Sequence, residues 1–324
     1  DLPDLVTNHG FEGMVALLWD GFAGNGLTRS SLVADLGIAR MRAFGDLPAW
    51  MPLATRRPLY EGMRIALSSQ PDDASPAQLL ASMTVAVPAL LRAADGEAAI
   101  VPDPSLTTAA DLLRMLHGHA SDAAMVGALD VYFTVMGESG LSASAFTGRC
   151  VASTRASLTA SVIAAWSAFT GALHGGAPGP TLDLIDAAER QSDLTGWLEA
   201  RLRAGERLMG FGHRVFSGND PRAEQMRIAL DRMGPMAGRL AFARELQAAV
   251  AEAIERVKPG RKLPPNVEIM AALLLDAVGI PRQGFTPVFA VGRCAGWIAH
   301  ALEQRKTGRM IRPTSAYVGP PIAG

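Results

Sequence analysis

The run Gly210-Phe211-Gly212-His213-Arg214-Val215 is followed closely by Asp220-Pro221-Arg222-Ala223. Glycines on either side of His213 let the backbone turn tightly and expose the imidazole. Asp220 as N-cap with Pro221 behind it puts Arg222 in the first turn of a helix, so an imidazole and a guanidinium can meet an anion near a helix N-terminus. A second histidine stands in Leu173-His174-Gly175-Gly176-Ala177, where a long apolar stretch ends. In Pro264-Pro265-Asn266-Val267-Glu268 a carboxylate falls in the opening turn of a helix that Asn266 can cap, where the helix dipole favours the ionised form. The run Phe285-Thr286-Pro287-Val288-Phe289-Ala290-Val291-Gly292-Arg293 carries another guanidinium and leads into Gly296-Trp297-Ile298-Ala299-His300.

The elements that must position these groups are helices. Hydrophobic residues make up 49% of the 324 residues but aromatics only 6%. The apolar content is mostly Ala, Leu and Met, and β-branched runs are scarce, which predicts an all-α chain. Helical periodicity predicts elements over 11–19, 30–44, 58–68, 76–92, 109–116, 120–135 and 143–162, then 182–204, 223–233, 239–257, 268–278 and 286–306. The glycines and prolines of 175–180 and 279–284 mark hinges, so residues 1–175 with 280–324 are expected to form one helical domain and 176–279 a second, inserted one.

Lys+Arg 30 against Asp+Glu 31 leaves a formal charge of -1, and no basic stripe suits a nucleic acid. Residues 156–182 carry no Asp, Glu, Lys or Arg, but their serines, threonines and glycines fit a buried helix better than a membrane span. Cys150 and Cys294 stand apart in apolar helical stretches, as unpaired thiols of a reducing compartment do, and the first residues show no export signal; a cytoplasmic location is expected. His117-Gly118-His119 has no Cys, Asp or Glu neighbours to complete a ligand set, so no metal site is expected.

These runs, in this order, resemble the signature blocks of the citrate synthase family. Leu17-Leu18-Trp19-Asp20-Gly21 and Arg312-Pro313 also fit, so the likeness spans nearly the whole chain. The resemblance implies an all-α fold, a large helical domain with a small one inserted, and a homodimer. It also implies a condensation of an acyl-CoA, acetyl or propionyl, with oxaloacetate or a related 2-oxo acid. By motif position His213 polarises the oxo-acid carbonyl, His174 hydrogen-bonds the enol of the thioester, and Glu268 removes the α-proton. Arg222, Arg293 and, from the other subunit, Arg312 hold the acid's carboxylates. Arg261 and Lys262, in a basic turn before Pro264, are candidates for the phosphates of coenzyme A, which takes part as a substrate thioester; no permanently bound cofactor is implied. The chemistry is physically coherent: an α-proton of a thioester is weakly acidic, so its removal needs a placed carboxylate and a donor on the forming enol oxygen.

Two positions depart from the family. Its base is normally Asp, one methylene shorter than Glu268. Where it usually shows His-Glu-x-Asn-Ala-Ser, this chain reads Ser139-Gly140-Leu141-Ser142-Ala143-Ser144, so Ser139 takes the place of an oxo-acid-binding His, and either a different or larger 2-oxo acid or a weaker grip on oxaloacetate is expected, with the condensation chemistry kept. A non-catalytic paralogue, or a citryl-CoA lyase or thioesterase using the same pocket, stays open at this point.

Overall fold

The computed structural model describes residues 1–171, 174–175, 178–212 and 220–319. The described residues are helical with no strand; their only ladder-type pairings are two isolated bridges. In chain order the main helices are α1 (Gly10–Trp19), α2 (Arg29–Gly45), α3 (Leu47–Ala54), α4 (Leu59–Ser68), α5 (Pro76–Ala94), α6 (Thr108–His117), α7 (Ala123–Met136) and α8 (Ala143–Ser153). There follow α9 (Leu158–Phe169), α10 (Pro178–Glu189), α11 (Leu194–Arg203), α12 (Pro221–Met233), α13 (Leu240–Val257), α14 (Val267–Ala277) and α15 (Phe285–Thr307).

Polar caps set most of the starts. Thr28 and Ser75 form reciprocal capping boxes, while Ser142, Ser157, Asp193, Asp220 and Asn266 each accept an amide hydrogen from the first turn they open. The same chemistry explains two differences from the periodicity. The stretch 143–162 is two helices, because Arg155 turns into the left-handed region at φ 64 and Ser157 caps a new start. The stretch 182–204 is likewise broken before Asp193, and α9 ends at Phe169, several residues short of His174. The short helix α3 has no counterpart among the predicted elements; its start is dominated by Leu47 and Pro48 rather than by a polar cap.

α15 is the axis of the core. Residues 285–288 and 290–298 are all buried, and the helix lies against α1, α5, α7, α8 and α9. Trp19, Trp166, Trp297, Phe133 and Phe169 are among the largest side chains closed off from solvent around it. Cys294 sits on this helix with 0% exposure, and burial pushes its thiol far up, whereas Cys150 on α8 is half-buried; both are free thiols. α5 is long and apolar enough to cross a membrane but is mostly packed inside the protein. In the region 178–277, α11 packs on α13 and α10 on α14, and α12 bridges α14 and α7. That bridge brings the segment carrying Arg222 and Glu268 against the helix that leads into residues 137–142.

Candidate active site

His174 is clamped by its neighbours. Its amide donates to the Gly171 carbonyl (2.9 Å), the next amide donates to the Phe169 carbonyl (2.8 Å), and Thr286 Oγ1 donates to the Gly175 carbonyl (3.0 Å). The imidazole stands edge-on to Phe169, ring centres 5.1 Å apart. Its Nε2 accepts the amide of Ser144 (3.3 Å) and lies 2.8 Å from Ser144 Oγ. Trp297 Nε1 donates to that same oxygen (3.0 Å), which leaves the serine's own proton to point at Nε2. With its Nε2 lone pair so engaged, the neutral ring must carry its proton on Nδ1. Burial, and then the charge of Arg293, hold the His174 pKa below the ordinary histidine range, so the ring is a neutral N–H donor at pH 7.

Arg293 projects from α15 in a dry setting. It is 4% exposed, donates from Nε to the Met136 carbonyl (2.7 Å) and lies over the Phe289 ring at 4.9 Å. Burial brings its pKa down to about 10, with Arg222 pushing the same way and Glu138 and Tyr132 opposing; it is still a cation at neutral pH. Glu138, on the loop after α7, lays its carboxylate against α15. Its Oε1 is 3.2 Å from His300 Nε2 and accepts the Gly140 amide, and a Cβ on Gly296 would come within 2.5 Å of its Oε2. Arg149 donates to His300 Nδ1 (3.1 Å), so His300 carries its proton on Nε2, facing Glu138. Burial pushes Glu138 up, but the hydrogen bonds from His300 and the Gly140 amide, with the charge of Arg293, outweigh it, and the carboxylate ionises below its ordinary range.

The opposite side of the site rests on backbone pairing. Gly212 N–H donates to the Pro264 carbonyl (2.7 Å) and Asn266 N–H to the Gly210 carbonyl (2.9 Å), an antiparallel bridge centred on Phe211 and Pro265. Gly210 has φ +85, and a Cβ there would fall 2.5 Å from Ile269 and 2.8 Å from Thr181, so glycine alone fits. The bridge ties the start of the His213 run to the cap of α14. Asn266 Oδ1 accepts the Glu268 amide (2.9 Å), placing the carboxylate in the first turn. The dipole was expected to favour its ionised form. Burial is the larger effect and raises its pKa, with Asn266, Arg207 and Arg222 pulling back. Arg222 is held in a two-pronged pair by its own cap, Nε to Asp220 Oδ1 (3.0 Å) and Nη2 to Oδ2 (2.7 Å).

Charge links the described candidates in pairs: Arg293 lowers the pKa of His174, and Arg222 lowers those of Arg293 and Glu268. His213 lies outside the described residues; Gly212 before its segment and Asp220 after it are both anchored. Ser139 is exposed on its loop, and Glu138 rather than Ser139 faces Arg293. Arg261 and Lys262 are exposed in the turn before the bridge. Arg312 is exposed in the segment that follows α15 and has no hydrogen bond or ion pair with the other described candidates. His117 faces Ser121 Oγ (3.1 Å) and the Gly279 carbonyl (3.4 Å), and among the described residues no group of three or more His, Cys, Asp or Glu side chains is arranged to hold a metal ion. A groove of about 330 Å³ lined by residues from Trp19 to Gln78 contains none of the candidates.

Sequence reasoning missed four contributors: Ser144, Trp297 as a donor, Glu138 and Arg207. Ser144 had a faint signal, since Ser142 suffices as the cap of α8 and leaves a second serine one residue into the helix to be explained.

Comparison with known proteins bears on the family and the fold. A family model described as citrate synthase, C-terminal domain, matches residues 1–314. A Mycobacterium tuberculosis protein provisionally named citrate synthase 2 is 37% identical over 330 residues, covering 99% of this chain and 85% of that protein. The 2-methylcitrate synthase of the same organism is 32% identical over 243 residues, 75% of this chain and 61% of that protein. The crystal structure of citrate synthase from Thermotoga maritima superposes with a TM-score of 0.83 at 25% identity, covering 100% of this chain and 88% of that one.

Proposed function

Because the chain belongs to the citrate synthase family, we propose that it is an acyltransferase that condenses acetyl-CoA or propionyl-CoA with oxaloacetate or a related 2-oxo acid. Glu268 takes the α-proton of the thioester, and the Nδ1–H of His174 donates to the oxygen on which the enol charge gathers. The new nucleophilic carbon attacks the oxo carbonyl, which His213 polarises, and a carbon–carbon bond forms. Water then cleaves the thioester and coenzyme A leaves as a free thiol. Arg222 and Arg293 hold the acid, and the exposed Arg261 and Lys262 reach for the phosphates of coenzyme A. No resident cofactor takes part.

The observation that carries the reading is the pair of Ser144 hydrogen bonds on His174 Nε2, which forces a neutral Nδ1–H donor where a forming enolate needs one. The raised pKa of Glu268 makes it a stronger base than a surface glutamate. A non-catalytic subunit would have no use for either arrangement. The test is thiol release with acetyl-CoA and propionyl-CoA against a panel of 2-oxo acids. Absence of release with every pair would sink the proposal.

A homodimer, with Arg312 entering the neighbouring site, belongs to the same proposal, as does a cytoplasmic setting. Residues 308–319 form no helix or strand, and Met310, Tyr317 and Val318 are exposed at 57%, 72% and 96%, as in a segment that a second subunit would cover. Mixing Arg312→Gln and Glu268→Gln proteins should restore activity in hybrid dimers, since one site of each hybrid then regains both residues; additive, unrestored activity would count against it. Closure of the 176–279 unit on the rest, turning about the contact of α12 with α7, would complete the site.

A further inference from the structure

The segment that carries Arg312 is clamped where it leaves α15. Gln304, in the last turn of that helix, is 6% exposed and uses both ends of its amide. Its Oε1 accepts from Arg149 Nε (3.1 Å) and Nη2 (2.9 Å), which turns the nitrogen the other way, where Nε2 donates to the Arg309 carbonyl (2.9 Å). Gly308 leaves room for this, since a Cβ there would fall 1.9 Å from Gln304 Nε2. Ser153, the last residue of α8, adds a second point. Its hydroxyl donates to the Cys150 carbonyl (2.7 Å) and so presents a lone pair to the Ile311 amide, which donates to it (3.0 Å). From Arg312 to residue 319 every residue is exposed, and Pro313 biases Arg312 to extended backbone.

Resting on the condensation and the homodimer proposed above, we infer that Gln304 and Ser153 are positioning residues for Arg312: by fixing the backbone at 309 and 311 they send its guanidinium from a set point on one subunit into the site of the other. The helices that form the clamp, α8 and α15, also hold Ser144 against His174 and carry Arg293. The arginine given to the neighbour is therefore registered on the same frame as the groups kept at home. Without the clamp, the segment would have to be ordered at the moment the oxo acid binds. The entropy lost would then weaken the grip on the acid and leave the chemical step and the thioester site largely untouched.

The test uses two variants of the full chain. Gln304→Glu keeps an acceptor for Arg149 but turns an oxygen toward the Arg309 carbonyl, and Ser153→Ala removes the acceptor of the Ile311 amide. Hydrogen exchange is followed over residues 308–312, and thiol release is measured with acetyl-CoA and oxaloacetate, or with the active pair from the panel above. Both variants should exchange about tenfold faster there and raise KM for the oxo acid about tenfold, with kcat and KM for the acyl-CoA shifted by less than about threefold. Placed on Arg312→Gln, neither should raise that KM further, because the residue they position is gone. Faster exchange with an unchanged KM, or a rise in KM that persists in full on Arg312→Gln, would make the clamp purely structural, and unchanged exchange would mean that it does not hold the segment; each overturns the inference. If Arg312→Gln alone leaves the KM unchanged, the role of Arg312 itself fails and the inference with it. Absence of thiol release from the wild type would overturn the condensation instead, and calorimetry of oxaloacetate binding to the same set, with and without Arg312, would still decide the role of the clamp.

Discussion

The two halves of the site are held by different means. On one side, His174, Arg293 and Glu138 are fixed mainly through side chains packed around α15: Ser144, itself held by Trp297, on the imidazole, the Met136 carbonyl and Phe289 on the guanidinium, His300 on the carboxylate. On the other, Glu268, Arg222 and residues 210–212 are held locally, by a two-bond backbone bridge, two helix caps and a glycine with positive φ. Groups locked by packed side chains are set when the core forms. Groups locked by a bridge and caps keep a local geometry that can move as a unit, which suits a base that must meet a substrate arriving between the halves.

Perturbing each half should therefore fail differently. The largest effect is expected for Glu268→Gln, with kcat lower by on the order of 1,000-fold and acid binding nearly intact, since the substitution removes the proton acceptor and leaves both locks in place. Should it retain full activity, another group is the base. Next is Gly210→Ala, which forces a side chain into positive φ and against Ile269 and Thr181. It should displace Glu268 with the bridge and cost about 100-fold in kcat/KM, while thermal unfolding shifts only modestly. A loss of the whole fold would mean that the bridge is structural rather than local.

On the packed side, Ser144→Ala keeps the amide to Nε2 but strands Trp297 Nε1–H, and is expected to lower kcat about tenfold and stability by about 1–3 kcal/mol. Adding Trp297→Phe should recover part of the stability and none of the rate; recovery of both would show that Ser144 acts only through packing. The smallest effect concerns pH. Protonation of Glu268 removes the base, so activity falls as pH drops through its pKa, and burial sets that limb above the range of an ordinary glutamate. Arg207 pulls the pKa down, so Arg207→Gln should move the acid limb upward by a few tenths of a pH unit, read from kcat/KM profiles. A downward shift would mean that Arg207 does not act on Glu268 through its charge.

Most helices were legible because apolar residues repeat with helical spacing and Ser, Thr, Asp or Asn stands at their starts. The breaks at Arg155 and before Asp193 were not, since apolar periodicity runs through both and only the backbone turn and the new cap reveal them. At the site, the runs around His174, Arg222, Glu268 and Arg293 announced themselves through glycines, prolines and caps. Glu138 did not, because its neighbour Ser139 occupied the expected register, and a loop's sequence does not say which of two adjacent side chains turns inward. Nor could the raised pKa of Glu268 be foreseen: the cap and dipole are local and readable, whereas desolvation depends on what the rest of the chain packs around it.

Cys294 has a practical bearing on how the activity is measured. A disulfide reagent that reports released coenzyme A also titrates accessible protein thiols, and this one lies next in sequence to Arg293. Enclosed at 0% exposure, with its thiolate strongly disfavoured, Cys294 is chemically silent in the folded protein. The background in such an assay is then the half-buried Cys150 alone. One equivalent of reagent consumed before substrate is added marks native protein, two mark a core that has opened, and each assay reports the integrity of its own enzyme.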